Sequence, residues 1–304
     1  MGMAPGAEQI KSVGVVGLGY WGPKLARCFH QLGVLGLIVD TDPAKLVKAS
    51  EELPGIPLHP GFVNLDDMKT LANLDAVAIA TPPETHYALA REALEHGLHT
   101  FVEKPLATSF QEARELEDLA EKEGLRLMVG HIYLHCPGLL AIPCDPGSKE
   151  VFIQFLNPRG HPGGSNRDIK WAALPHAASI VLHLIPSSPD AIQGRRYEHG
   201  LRAVLTYWDG SRACLQVGDF TGMRRRQVEV RAGNTRYQFD ADNPLCRRRE
   251  PISSRLEWVT VEQKEPLLLE CEAFLKGTVG PFTEVPGSQV VRLVEQIWKE
   301  VKPG

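Results

Sequence analysis

The sequence predicts an α/β protein: an N-terminal doubly wound parallel sheet, then a C-terminal α/β domain with a large, mostly antiparallel open sheet. Two observations predict it. Up to about residue 130, short apolar runs alternate with amphipathic helical patterns, the βαβα rhythm of a parallel sheet covered on both faces. From about Lys149 strand-like runs follow one another with turn signals between them, as an antiparallel sheet requires. The change of rhythm divides the chain into domains at 1–130 and 131–304, and 304 residues suit two domains of roughly 150 each.

In the first part the apolar runs Val13–Val16, Leu35–Val39, Asp75–Ala80, His99–Val102 and Leu125–Val129 read as strands. Between them Pro23–Leu32 and Pro43–Leu53 read as helices with proline in the first turn, and Glu84–His96 as a helix stopped by Gly97. Thr108 or Ser109 caps a charged helix that runs to Glu123 and closes at Gly124. In the second part Glu150–Leu156, Arg202–Trp208, Arg212–Val217, Gln227–Arg231, Thr235–Phe239 and Glu257–Val261 read as strands. Trp208-Asp209-Gly210-Ser211 and Ala232-Gly233-Asn234-Thr235 are hairpin signals. Helices are expected at about Ala172–Leu184, at Pro266–Lys276 and at Ser288–Val301, and loops at Pro137–Gly147 and Pro158–Gly164.

A chain with 43% hydrophobic and 23% charged residues buries a core, which excludes global disorder. No stretch approaches the ~18–20 apolar residues of a membrane span. The start carries Glu8 and Lys11 and lacks the apolar run of a secretory signal, and the six cysteines are unpatterned, so a cytoplasmic protein with reduced thiols is expected. The net charge of −4 argues against nucleic-acid binding. Residues 1–130 hold 11 basic and 18 acidic side chains, a net −7, and residues 131–304 hold 22 and 19, a net +3. The basic second half weakly favours an anionic small molecule there, and a merely solvated Arg-rich surface accounts for the charge at least as well.

Gly17-Leu18-Gly19-Tyr20-Trp21-Gly22 follows an apolar strand and opens a helix, the context in which G-x-G-x-x-G is a dinucleotide fingerprint. Gly17 allows the tight turn, Gly19 clears the backbone for a pyrophosphate, and Gly22 allows close helix packing. The helix N-terminus offers N–H groups and partial positive charge to the phosphates. Asp40 ends the second apolar run, where a carboxylate accepts from the adenosine ribose hydroxyls and repels a 2′-phosphate. NAD is therefore favoured over NADP, and the first domain is a Rossmann domain. Asp42 reads as the cap of the next helix. Tyr20 and Trp21 sit in this loop, to pack on the dinucleotide or within the domain.

Ala80-Thr81-Pro82-Pro83 with Thr85-His86, then Phe101-Val102-Glu103-Lys104-Pro105, resemble the glucose–fructose oxidoreductase / inositol 2-dehydrogenase / rhizopine-catabolism (Gfo/Idh/MocA) family. The resemblance runs from Ser12 to about Val129 and resumes at Gly130–Tyr133, Trp171–Ile180 and Pro266–Phe274, nearest to the nucleotide-sugar 3-dehydrogenase branch. It implies an NAD(P)-dependent oxidoreductase acting on a sugar, cyclitol or nucleotide-sugar, with the active site between the domains and a homodimer or homotetramer built on the open sheet. It implies Lys104, with a cis Lys-Pro bond, as the group that binds the reacting oxygen, and His176 as the proton carrier. Thr81, Pro82, His86 and Glu103 are implied as cofactor contacts. Tyr133, Arg159 and Asp168 are the candidate substrate residues, Arg159 first for a sugar or phosphate.

One departure from the family stands out: its Asp residues around the His are here Ala172 and Ala177. A carboxylate at 172 would share a helix face with His176 and polarise it. Three readings stay open: Lys104 and His176 suffice, with or without Tyr133; Asp168 stands in; or the chain binds nucleotide as a regulatory or accessory protein without the usual chemistry. His131, His135, Cys136 and Cys144 invite a zinc reading, but Pro137 and Pro143 break the segment and no metal is expected. Arg224–Arg226 and Arg247–Arg249 could hold a diphosphate, though a solvated face or subunit contact is favoured.

Overall fold

The computed structural model describes residues 9–61, 73–144, 147–157, 169–219, 224–242, 245–249, 256–259, 264–277 and 285–304. The chain forms two units, one of residues 1–130 with 267–291, the other of residues 131–266 with 292–304.

The first unit is built on a six-stranded sheet in the order β3-β2-β1-β4-β5-β6. Its strands are β1 (Val13–Val16), β2 (Leu35–Asp40), β3 (Leu58–Pro60), β4 (Ala76–Ile79), β5 (His99–Glu103) and β6 (Leu127–Gly130). Every neighbouring pair is parallel, with Val16 in register with both Val39 and Ile79. That order is the doubly wound arrangement, and its winding reverses beside β1. The helices are α1 (Gly22–Gln31), α2 (Pro43–Glu52), α3 (Pro83–Glu95) and α4 (Phe110–Glu123). β4 is buried along its whole length, and α1 buries Leu25, Ala26, Cys28 and Phe29. Ser109 caps α4 by accepting from the Glu112 N–H, and Gly124 closes it in the left-handed region at φ +67°.

Residues 267–291 group with this unit, whereas the sequence reading assigns them to the second domain. Packing and capping explain the difference. In the helix Pro266–Lys276 (α8, after three helices named below), Phe274 meets the rings of Phe29 and Phe101 at 6.4 and 5.7 Å. Arg126 Nη1 donates to the carbonyls of Phe274 and Leu275 at 3.3 and 2.7 Å, a cation at a helix C-terminus. Glu117 accepts from the backbone N–H and hydroxyl of Ser288 at the start of the last helix, Gly287–Glu300 (α9).

The second unit holds a nine-stranded sheet in the order β14-β13-β12-β11-β7-β10-β9-β8-β15. Its centre is β7 (Lys149–Asn157), parallel to β10 (Arg212–Asp219) and antiparallel to β11 (Arg225–Ala232). β15 (Lys302–Pro303) pairs parallel with β8 (Ala191–Tyr197), and the remaining neighbours, β9 (Gly200–Thr206), β12 (Thr235–Asp240), β13 (Leu245–Arg249) and β14 (Leu256–Val259), pair antiparallel. The sheet is thus mostly antiparallel, as expected. Both hairpin signals are hairpin turns, with Gly210 at φ +84° and Gly233 at φ +55°. Val151, Ile153 and Phe155 of β7 with Ala213, Leu215 and Val217 of β10 form one buried face. Gln154, Gln216 and Arg225 form a hydrogen-bonded row on the other.

Three helices differ from expectation. Pro137–Leu140 (α5) lies in a segment expected to be a loop. The helix expected at about Ala172–Leu184 is two, Ile169–Ala172 (α6) and Leu174–Leu184 (α7), broken at Ala173. Pro175 is the cause: it has no N–H to donate, and its ring excludes a helical carbonyl four residues earlier. The expected loop Pro158–Gly164 lies outside the described residues. No described helix is long and apolar enough to cross a membrane.

Candidate functional site

Gly17, Asp40, Thr81 and Lys104 all lie at or just past the C-terminal ends of parallel strands, the edge where ligands of doubly wound sheets bind. Gly17 has φ +92°, and a Cβ there would fall 2.8 Å from the Ala80 carbonyl oxygen. A Cβ on Gly22 would fall 1.8 Å from the Gly17 carbonyl oxygen, so this glycine lets the first turn of α1 close against its own loop. Gly19 is different. A Cβ on it would meet only the Ala80 carbonyl oxygen, at 3.8 Å, an ordinary contact. The fold requires glycine at 17 and 22. At 19 it leaves backbone bare toward open space, which is what a close-approaching pyrophosphate needs. No side chain caps the N-terminus of α1 and its first turn is free of acidic residues, which suits an anion there.

Asp40 is 7% exposed. Its Oδ2 accepts from the Leu18 N–H at 2.5 Å, its Oδ1 accepts from the Asp42 N–H at 2.8 Å, and Lys45 Nζ stands 3.5 Å from Oδ1. The carboxylate therefore staples the glycine loop to the end of β2. Asp42 accepts from the Ala44 N–H at 2.9 Å and caps α2, as its position suggests. Tyr20, 66% exposed, and Trp21 meet edge to face at 5.4 Å, with Lys24 Nζ 3.1 Å above the Tyr20 ring. Lys24 is a charge at the loop that the sequence reading did not single out.

His86 is 1% exposed. Its Nδ1 faces the Pro105 carbonyl oxygen at 2.6 Å and its Nε2 the Thr81 carbonyl oxygen at 2.9 Å. Burial lowers its pKa against the opposing pull of these two bonds. His86 therefore ties the turn after β4 to the residue after Lys104. Thr81 Oγ1 accepts from the Thr85 hydroxyl at 2.7 Å, and Pro82 precedes the first turn of α3. The Lys104–Pro105 peptide is cis. Glu103 is nearly buried, and burial pushes its carboxyl up to about 7, opposed by the charges of Lys104 and Lys24.

In the second unit Tyr133 lies in the 3-10 turn Ile132–His135, and His176 in the first turn of α7. Their rings meet edge to face at 5.0 Å, and Phe155 of β7 packs on Tyr133 at 4.8 Å. Burial raises the Tyr133 phenol to about 12, so it stays protonated and can donate. The break at Ala173 puts position 172 on a different helix from His176, so the same-face argument for a carboxylate there does not apply to this backbone. Arg159 and Asp168 lie outside the described residues. Arg224 pairs with Asp242, Arg225 donates to Gln154, and Arg226 donates to the Leu156 carbonyl and to Asn157, so this arginine run serves the sheet. Among the described residues no three His, Cys, Asp or Glu side chains cluster as a metal site, and Cys144 instead faces His183 Nε2 at 3.5 Å.

Residues 11–131 match the family described as "Oxidoreductase family, NAD-binding Rossmann fold". Over 119 residues the chain is 33% identical to UDP-N-acetylglucosamine 3-dehydrogenase of Acidithiobacillus ferrooxidans, a match covering 39% of this chain and 36% of that protein. The chain's matches span 31% to 36% of the length of the first curated relatives. The solved structure of the same dehydrogenase superposes with a TM-score of 0.85 at 23% identity, covering 97% of this chain and 98% of that one. A 3-ketoreductase from Actinomadura kijaniata, solved with NADP and TDP-benzene, has a TM-score of 0.79 at 18% identity over 97% and 99% of the two chains. An oxidoreductase from Agrobacterium radiobacter, solved with NAD+, L-tartaric acid and magnesium, has a TM-score of 0.79 at 14% identity over 96% of each. The family match is confined to residues 11–131, where a parallel sheet carries the glycine loop, strand-end carboxylate and Glu-Lys-Pro turn, and the whole chain shares the fold of these solved oxidoreductases.

Proposed function

We propose that the chain is an NAD(P)-dependent dehydrogenase or ketoreductase that interconverts a secondary alcohol and a ketone on a sugar, cyclitol or nucleotide-sugar. Gly19 carries the reading: among the described residues a Cβ there would meet only the Ala80 carbonyl oxygen, at 3.8 Å, so packing does not require glycine at this position, and close approach of a dinucleotide phosphate accounts for it. The loop from Gly17 to Gly22 and the start of α1 would hold the pyrophosphate, and Asp40 the adenosine ribose. Thr81, Pro82 and Glu103 would border the nicotinamide end. The bound nicotinamide supplies the hydride acceptor or donor.

The chain's own residues handle the oxygen and its proton. Lys104 donates a hydrogen bond to the reacting oxygen and stabilises negative charge that develops there. His176 takes the hydroxyl proton in oxidation and returns it in reduction. Tyr133, fixed against His176 and Phe155, orients the imidazole. The carboxylate of Asp40 disfavours a 2′-phosphate, so we propose NAD as the preferred coenzyme, with Lys45 softening the discrimination. The likeness to UDP-N-acetylglucosamine 3-dehydrogenase supports a nucleotide-linked sugar as substrate. The accessory-protein alternative rests on Ala172, and the helix break at Ala173 removes its geometric basis.

The experiment is turnover of NAD(H) with a panel of nucleotide-sugars, sugars and cyclitols, read at the reduced-nicotinamide absorbance. Lys104→Ala is expected to lower turnover about 10²–10⁴-fold. Tight NADH binding with no turnover on any compound would contradict the catalytic reading.

A further inference from the structure

The helix after the glycine loop opens on an unfavourable charge. Lys24 is the third residue of α1, and a cation in a first turn is opposed by the partial positive charge of the helix N-terminus. No acidic residue stands in that turn to offset it. The turn is also short of backbone donors. Pro23 has no N–H, and the N–H groups of Lys24 and Leu25 both donate to the Trp21 carbonyl oxygen, at 3.0 Å each. The Lys24 side chain thus adds positive charge at an end where the backbone offers fewer donors than a helix normally does. A local rule broken in this way points to a functional demand.

The ammonium has a defined seat. Helical side chains lean toward the N-terminus, so the Lys24 stem runs back toward the loop. Its Nζ lies 3.1 Å from the centroid of the Tyr20 ring and 4.6 Å from that of Trp21, in the corner made by two rings at 90°. This seat is on the open side of the loop: Gly19 and Tyr20 are exposed, whereas Gly17 and Gly22 are buried. The charge of Lys24 also acts on Glu103 at the end of β5, consistent with a place toward the strand ends. A ring face holds a cation without neutralising it, and more weakly than a phosphate does through a charge-assisted hydrogen bond.

We propose that Lys24 is a phosphate-binding residue of the dinucleotide site: Tyr20 and Trp21 hold its ammonium beside Gly19, and from there it transfers to the diphosphate. The inference rests on the dinucleotide reading of the loop and deepens it. The two aromatic side chains then serve to seat a cation rather than to stack on a base. Lys24 supplies the charge that the proline-containing first turn cannot supply from its backbone.

The test is calorimetric titration of the full chain with NADH and, in competition with NADH, with ADP-ribose and with adenosine. Lys24→Met keeps the length of the side chain and removes its charge. At about 0.01 M salt, where the Debye length is about 30 Å, it should weaken NADH binding about tenfold. At about 1 M salt, where that length is about 3 Å, the gap should narrow to below about threefold. ADP-ribose carries the diphosphate without the nicotinamide and should lose as much as NADH. Adenosine has no phosphate and should lose nothing. Lys24→Arg, which restores the charge, should bind NADH within about threefold of the wild type. A lysine that only props the two rings would give a loss that salt does not narrow, or one that adenosine shares, and either result would overturn the proposal. So would Lys24→Arg binding as weakly as Lys24→Met. Equal NADH affinity in wild type and Lys24→Met would overturn it too, and would leave the dinucleotide reading standing. A wild type that binds neither NADH nor NADPH would overturn that reading and this inference with it.

Discussion

At the scale of single residues, the three glycines of the loop serve different ends, and substitution separates them. Gly22→Ala pushes a methyl group into the Gly17 carbonyl, so it should lower stability by about 1–3 kcal/mol, read as a drop in Tm. Gly19→Ala meets nothing closer than 3.8 Å and should leave Tm unchanged. Equal destabilisation by both would show that Gly19 too is held by the fold. Asp40, read from the sequence as a ribose contact, proves also to be the staple of the loop. This could not be seen in the sequence because the Leu18 N–H is 22 positions away.

Among the elements, the strands with an apolar core face were readable and those without one were not. Val13–Val16 and β4 are almost wholly apolar, and β7 alternates, so each declares itself. β8 reads Ala-Ile-Gln-Gly-Arg-Arg-Tyr and alternates only between exposed and half-buried, so its sequence carries no strand signal. It pairs because β9 offers it an edge. The apolar pattern near His176 continues unbroken and predicts one helix, while Pro175 decides otherwise. Arg126 shows how one side chain can fix an element far along the chain: Arg126→Ala removes two charge-assisted bonds to the end of α8. It should cost about 1–3 kcal/mol by denaturant unfolding, and an unchanged unfolding midpoint would show that packing alone holds that helix.

For the whole molecule, the acid limb of stability has a named source. His135 is buried, and burial lowers its imidazole to about 4 from an ordinary value of 6.5. The unfolded chain then takes up the proton first, so this contribution is full above pH 6.5 and is lost as pH falls toward 4. His135→Gln should flatten that limb, and an unchanged acid limb would move its source elsewhere. The open sheet is a further matter of the whole assembly. The face carrying Gln154, Gln216 and Arg225 is polar rather than apolar, with Phe152 half-buried among these groups. We propose that the chain forms a homodimer or homotetramer, and sedimentation at micromolar concentration should give a mass above that of the monomer. A monomer there would contradict it.

The central claim is that a dinucleotide lies on the bare backbone at Gly19, and calorimetric titration of NADH into wild type and Gly19→Ala tests it most directly. Binding by the wild type, with affinity weakened by at least about tenfold in the folded variant, a loss of roughly 1.4 kcal/mol, is the predicted result. Equal affinity in the two proteins, or no heat from the wild type with either NADH or NADPH, would contradict it.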